Sequence, residues 1–177
     1  MTIAVVGPDG AGKTSYCSRF GKTIVHAIPK TRNWNVKDSN ASRILHELLM
    51  AAEKLFVFAK LRQMHDVMME RCFIDAEVYG HLWSLKMGSV LPLLICRLTN
   101  VFAYQPDVIH QLVVEPSKAR PTRGYTQEEI GLLNELFTFI IRRYGYQQYN
   151  YIEYDRGVIV IWKKDLNSWS TVERRRK

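Results

Sequence analysis

The segment Gly7–Thr14 constrains this chain more than any other part of its sequence. Its residues, Gly-Pro-Asp-Gly-Ala-Gly-Lys-Thr, match the pattern G-x-x-x-x-G-K-[ST] at all four fixed positions. The apolar run Ile3–Val6 predicts a short buried strand before it, and Lys13–Phe20 predicts a helix after it. A glycine-rich turn between a strand and a helix N-terminus is suited to holding phosphate groups. The sequence therefore predicts a nucleotide-phosphate site.

The residue types in this segment have separate tasks in phosphate binding. Gly10 and Gly12, with Ala11 between them, allow backbone N–H groups to point at phosphate oxygens. The Lys13 ammonium is expected to reach the β- and γ-phosphates of ATP, and the Thr14 hydroxyl to coordinate Mg²⁺. The alternative is a glycine turn that only links a strand to a helix.

Composition places the chain among globular proteins and indicates which kind of partner it binds. It has 177 residues, the size of one domain, so we expect a single domain over residues 1–177. The net charge is +8, and the last four residues of a basic tail, 171–177, are all positively charged. This balance favours a polyanionic partner, either nucleic acid or a small molecule that carries phosphate.

Cysteine usage and hydropathy predict a cytoplasmic protein. Cys17, Cys72 and Cys96 are widely spaced and lie in apolar stretches, as expected of buried free thiols in a reducing compartment. No apolar run approaches the ~20 residues that cross a membrane, and the N-terminus shows no secretory signal. We therefore expect no membrane partner.

Short apolar strands alternate with longer helices along the chain. The predicted strands are Ile3–Val6, Thr23–Ile28, Cys72–Asp75, Val108–Val114 and a terminal hairpin of Tyr149–Tyr154 and Val158–Trp162. The first predicted helix follows the loop Gly7–Thr14. The second runs from Ile44 past Ala59, with Met64, Met68 and Met69 as packing residues on it. The others are Val78–Met87, Leu91–Ala103 and a stretch from Thr126 to about Gly145. This alternation is typical of an α/β domain on a mainly parallel sheet.

The loop Asp9–Thr14 closely resembles the G-x-D-G-x-G-K-[ST] loop of the thymidylate kinase family. Shorter similarities follow in the family's order, at Ile28–Arg32, Leu48–Lys54, Cys72–Asp75 and Pro106–Pro116. The resemblance implies a P-loop NTPase fold with three α/β/α layers, and ATP and a nucleoside monophosphate as ligands. It implies a homodimer interface on the long helices, which could equally be core. It also implies that Asp9 approaches the acceptor sugar, unless it only stabilises the turn, and that Arg32 contacts the acceptor phosphate.

Three positions depart from the family's pattern on the acceptor side. Ala76 stands where the family has the arginine of its D-R-Y segment. Met50 replaces a phenylalanine that stacks on the base, and Lys54 replaces an arginine that hydrogen-bonds to it. Trp83 is a further candidate for stacking on the base, or else a packing residue. These departures predict a broad or altered base specificity, and the terminal hairpin replaces the family's closing helix.

The remaining candidates for the site are charged side chains. Asp75, predicted at the end of a strand, is expected to hold a Mg²⁺-bound water or to position the acceptor, unless it only caps the next helix. Glu77 is the fallback carboxylate. Arg120 and Arg123 lie in a short lid loop, about 115–125, whose closure would bring them to the transferring phosphoryl group; otherwise that loop is only an exposed basic surface.

Three functions fit these features. The first is an ATP-dependent kinase of (deoxy)nucleoside monophosphates, which holds two nucleotides in line and neutralises their charge. The second is a deoxynucleoside kinase, which needs a carboxylate to take the proton of the 5′-hydroxyl. Ala76 favours the second function, whereas Arg32 and Lys54 argue against it. A P-loop ATPase that binds polynucleotides ranks last, because no apolar run ends in Asp-Glu and the charge is largely terminal.

Overall fold

Strands and helices alternate along the chain, as the sequence pattern predicts. The computed structural model describes residues 1–20, 22–26, 40–119 and 125–165. Its strands are β1 Ile3–Val6, β2 Ile24–His26, β3 Met68–Glu70, β4 Val108–Val114, β5 Tyr146–Tyr154 and β6 Gly157–Lys164. Its helices are α1 Lys13–Cys17, α2 Asn40–Leu61, α3 Phe73–Met87, α4 Leu91–Asn100 and α5 Gln127–Arg143, with short 3₁₀ turns at Ser18–Phe20 and Pro116–Lys118.

The six strands form one sheet in the order β2-β3-β1-β4-β6-β5. Strand β1 pairs in parallel with β3 and β4, and β2 pairs in parallel with β3. Strand β6 runs antiparallel to both β4 and β5, so the terminal hairpin completes one edge of the same sheet. The predicted α/β fold, with a mainly parallel sheet and a C-terminal hairpin, is confirmed.

Strand β1 is buried on both faces and places the loop that follows it. Ala4 and Val6 face a core cluster with buried side chains of α2, α3 and α5. Ile3 and Val5 face the opposite cluster, which contains Ala11 of the loop. Successive side chains of a strand point to opposite faces of the sheet, so β1 is fixed between two layers. The segment Gly7–Thr14 therefore leaves the carboxyl end of a fully packed central strand.

The predicted strand Cys72–Asp75 is wrong, since β3 ends at Glu70 and Phe73 already begins α3. Asp75 lies in the first turn of this helix, where its carboxylate accepts the backbone N–H of Cys72 at 2.9 Å. Met68 and Met69 were predicted to extend the long helix, but α2 ends at Leu61 and both methionines are fully buried in β3.

The outward faces of α2 and α4 carry apolar side chains. Leu48, Leu49 and Phe56 of α2 and Leu94 and Leu98 of α4 are exposed. Within the described ranges, no helix has both the length and the apolar character needed to span a bilayer. The homodimer interface expected on the long helices stays a prediction.

Gly157 begins β6 at the point where the hairpin meets β4. Its φ angle is 154°, and a Cβ at this position would lie 2.1 Å from the backbone carbonyl oxygen of Val113. Since that carbonyl belongs to the paired strand β4, it cannot move away without disturbing the sheet. Only glycine fits here.

We expect Gly157→Ala to lower the free energy of unfolding by about 3 kcal/mol, because the backbone is strained and the added methyl group meets fixed backbone. Gly131→Ala in α5 is the matched control. A Cβ there meets no atom within 4 Å, and alanine favours a helix over glycine by about 1 kcal/mol. Urea denaturation measures both variants, and wild-type stability in Gly157→Ala would contradict this account of the hairpin.

Candidate active site

The loop Gly7–Thr14 begins beside β4. Gly7 has a φ angle of 143°, and a Cβ on it would lie 2.5 Å from the carbonyl oxygen of Leu112 in β4. The non-helical part of the loop ends at Gly12, which has left-handed backbone angles. Lys13 and Thr14 are the first two residues of α1. At Gly7 and Gly12, two fixed positions of the phosphate-binding pattern, the backbone therefore also favours glycine.

Lys13 folds back over the loop. Its Nζ atom donates to the carbonyl oxygens of Gly7 at 2.6 Å and Pro8 at 2.8 Å, and it lies 3.9 Å from Asp9 Oδ1. Burial, together with the positive charge of Arg71, lowers the pKa of Lys13 to about 8, although nearby carboxylates oppose the shift. The ammonium is therefore mainly charged at neutral pH, and it is held by the carbonyl oxygens at the start of the loop.

Thr14 and Glu70 join the start of α1 to the end of β3. The Thr14 hydroxyl donates to Glu70 Oε1 at 2.7 Å, and His26 Nδ1 lies 3.1 Å from Glu70 Oε2. Among the described residues, no group of three or more His, Cys, Asp or Glu side chains could hold a metal ion. Two oxygen ligands nevertheless fit Mg²⁺, which usually completes its shell with phosphate oxygens and water. The sequence predicted Thr14 with Asp75 as ligands, whereas it is Glu70 that contacts Thr14.

Arg71 forms a partly buried ion pair with the loop. Its guanidinium donates to Asp9 Oδ1, and Asp9 is only 7% exposed. The Asp9 N–H in turn donates to the Tyr79 hydroxyl at 3.0 Å. The resemblance placed Ala76 where the thymidylate kinase family has an arginine, but in the structure Arg71 follows the strand and reaches the loop. The role of Ala76 stays a prediction, and Arg71 is an arginine that the sequence analysis did not assign to the site.

Asp75 is fully buried close to the same charges. Burial raises its pKa to about 6, although Lys13 and Arg71 favour its ionised form. One carboxylate oxygen accepts the Cys72 N–H, and the other, Oδ1, has no hydrogen-bond partner among the described residues. Its predicted part in metal or acceptor binding stays a prediction.

Glu77, the fallback carboxylate, belongs to a different cluster. It accepts hydrogen bonds from Arg97, Arg143 and the Tyr144 hydroxyl, and so ties α3 to α4 and to the end of α5. Its burial opposes ionisation, but these donors lower the pKa of Glu77 overall. Glu77 therefore links three helices in this fold, and its fallback role at the site stays a prediction.

The acceptor candidates are only partly within the described residues. Met50 is buried in a small apolar cluster with Ala76 and Cys96, and Lys54 on the same helix is 2% exposed. Trp83 is half-buried on α3, with the Lys86 ammonium 5.6 Å from its ring centre. The predictions for Arg32, Arg120 and Arg123 fall outside the described residues.

Comparison with solved structures shows which fold the chain has. A thymidylate kinase from Ehrlichia chaffeensis aligns with a TM-score of 0.52 at 16% identity, over 98% of this chain and 97% of that one. A deoxyadenosine kinase from M. mycoides, with dCMP and a flexible dCDP bound as products, aligns with a TM-score of 0.54 at 19% identity, over 81% and 84% of the two chains. The chain has the fold of the P-loop nucleotide kinases.

A third protein with this fold is YorR from Bacillus subtilis, in complex with phosphorylated GDP. It aligns with a TM-score of 0.50 at 18% identity, over 84% of each chain. No protein-family model matches the sequence, and no curated protein matches it. At 16–19% identity, what these chains share is the fold.

Sequence reasoning missed Glu70, Arg71 and Tyr79 as parts of the site. The sequence did carry a signal for Glu70 and Arg71. The apolar run Val67–Met69 is followed directly by an acidic and a basic residue. Charged residues directly after a buried parallel strand lie at the edge of the sheet where ligands bind. Tyr79 carried no such signal, since it belongs to a helical pattern.

The raised pKa of Asp75 predicts a pH dependence of stability. An aspartate in the unfolded chain loses its proton near pH 4, whereas Asp75 in the folded protein keeps it up to about pH 6. Between these values the folded state binds more protons than the unfolded state, so the free energy of unfolding falls as the pH rises. The expected loss attributable to Asp75 is about 3 kcal/mol between pH 4 and 7.

Asp75→Asn tests this expectation, because an amide oxygen still accepts the Cys72 N–H but does not titrate. Urea denaturation at several pH values should show Asp75→Asn gaining stability relative to wild type as the pH rises. Asp155→Asn changes an exposed carboxylate and serves as the control. Parallel pH profiles for wild type and Asp75→Asn would show that this account of Asp75 is wrong.

Proposed function

We propose that this chain transfers the γ-phosphoryl group of ATP to a (deoxy)nucleoside monophosphate and releases the diphosphate. The proposal is carried by one observation, the convergence of Lys13, Thr14, Glu70 and Arg71 at the carboxyl ends of β1 and β3. Ligands of open α/β sheets bind at this edge. The fold shared with thymidylate and deoxyadenosine kinases supports the same function.

The donor side of the site is the loop itself. Lys13 now donates to two neutral carbonyl oxygens, and a phosphate oxygen would offer its ammonium a charged acceptor instead. Mg²⁺, when bound with ATP, would neutralise phosphate charge, and Thr14 and Glu70 are the residues that would hold it. Phosphoryl transfer demands mainly positioning and charge stabilisation, and this cluster can supply both.

Arg71 is the proposed ligand of the acceptor phosphate. A guanidinium carries five N–H donors in a planar fork, and the contact with Asp9 leaves donors for a phosphate. An acceptor that is already an anion needs no strong general base. Met50, Lys54 and Ala76 stay the proposed determinants of a broad or altered base specificity.

A deoxynucleoside kinase is the second candidate function. It is favoured by two of the buried carboxylates at the site, because Asp9 lies 3.9 Å from the Lys13 ammonium and Glu70 contacts Thr14. Either carboxylate could accept the proton of a 5′-hydroxyl. Ala76 also favours this function, whereas Arg71 argues against it because it offers an arginine at the site.

Lys13→Ala is expected to reduce kcat for ADP formation from ATP and a deoxynucleoside monophosphate by at least about 10²-fold, because it removes a charge aimed at the transferring group. The matched control is Lys60→Ala, which removes an exposed lysine on α2. Circular dichroism checks that both variants fold. Turnover by Lys13→Ala within a few-fold of wild type would overturn the loop's role.

Arg71→Lys separates the two candidate functions. A lysine keeps the positive charge next to Asp9 but loses the planar fork, so KM for a monophosphate should rise about tenfold or more while KM for ATP stays within about twofold. With a deoxynucleoside as the acceptor, no phosphate is present and its KM should not change. An unchanged KM for the monophosphate would contradict the assignment of Arg71.

A further inference from the structure

The turn between β5 and β6 holds an arginine against the phosphate loop. Arg156 Nη1 donates to the backbone carbonyl oxygen of Gly10 at 3.2 Å. The same nitrogen lies 3.7 Å from the position that a Cβ on Gly12 would occupy. The guanidinium therefore lies along the glycine-rich stretch that the sequence predicts to hold phosphate.

The backbone that carries Arg156 is itself fixed. Gly157 pairs with Val114 of β4, and the Glu115 N–H donates to the Arg156 carbonyl oxygen at 2.8 Å. Tyr154, at the other end of the turn, packs against the apolar cluster that includes Ala11. Arg156 thus reaches the loop from a rigid point at the edge of the same sheet.

A chain of hydrogen bonds continues from Arg156 to Lys13. The Gly10 carbonyl and the Ala11 N–H belong to one planar peptide unit and point in opposite directions. The Ala11 N–H donates to the Pro8 carbonyl oxygen at 3.2 Å, and this oxygen also accepts from Lys13 Nζ at 2.8 Å. A single peptide unit and the Pro8 carbonyl therefore separate the Arg156 guanidinium from the Lys13 ammonium.

A contact from outside the loop, such as that of Arg156, can limit the conformations of its glycines. Gly10 and Gly12 have φ angles of 84° and 88°, and glycine moves between backbone conformations at little cost. We propose that Arg156 is a positioning residue that holds the Gly10–Ala11 peptide, and through Pro8 the Lys13 ammonium, in the arrangement that binds the donor nucleotide. The inference rests on the proposed function for the identity of this ligand, ATP.

Three variants test the inference by nucleotide affinity. Arg156→Ala should raise Kd for the ATP analogue AMP-PNP with Mg²⁺, measured by calorimetry, about tenfold, as expected for losing a hydrogen bond from a charged donor. Arg156→Lys keeps a donor and should remain within about threefold of wild type. Asp155→Asn, at an exposed position of the same turn, should bind as wild type. KM for ATP should follow Kd, while KM for the acceptor should not change.

Hydrogen exchange of the Ala11 amide separates this inference from the proposed function. In the protein without nucleotide, Arg156→Ala should speed exchange at Ala11, whereas Asp155→Asn should not. Unchanged Ala11 exchange in Arg156→Ala overturns the inference whether or not ATP binds. Faster exchange with unchanged AMP-PNP affinity also overturns it. Wild-type protein that binds no AMP-PNP overturns the proposed function, and Ala11 exchange then still decides whether Arg156 orders the loop.

Discussion

Arg71 and Asp9 form a partly buried ion pair that joins the end of β3 to the phosphate loop. The Arg71 N–H also donates to the Val5 carbonyl oxygen at 2.9 Å, so the residue that holds the loop is fixed to β1 as well. Loss of Arg71 would remove one cation from the Asp9 carboxylate and leave the Lys13 ammonium at 3.9 Å from it. Arg71 therefore joins the loop to β3 and β1, and the Asp9 N–H joins it to Tyr79 of α3.

Charged side chains of both signs are buried or partly buried at this edge of the sheet. Lys13 and Arg71 are cations, and Asp9, Glu70 and Asp75 are carboxylates, all less than a quarter exposed. Their burial strengthens each interaction relative to water and shifts the pKa values of Lys13 and Asp75 toward neutrality. Side chains with shifted pKa values cluster at functional sites, because binding and catalysis need buried charged groups there.

The sequence predicted the features that depend on local patterns. The loop, the strand before it, the long helices and the terminal hairpin each carry several agreeing residues. The third strand was misplaced because it has only three residues, two of them methionines, which lack the β-branched signal of a strand. That error hid Glu70 and Arg71 and moved the site's carboxylate to Asp75. Arg156 could not be found from its neighbours in sequence, since its partner Gly10 lies 146 residues away.

The fate of the γ-phosphoryl group of ATP tests the proposed activity most directly. Wild-type protein would be incubated with Mg²⁺, ATP labelled in the γ-phosphate, and either deoxynucleoside monophosphates or deoxynucleosides, and the products separated by chromatography. We predict label in the deoxynucleoside diphosphate, at a rate that Lys13→Ala abolishes and Lys60→Ala does not. Label that appears only in deoxynucleoside monophosphates, or only in inorganic phosphate, would contradict the assignment of a monophosphate acceptor.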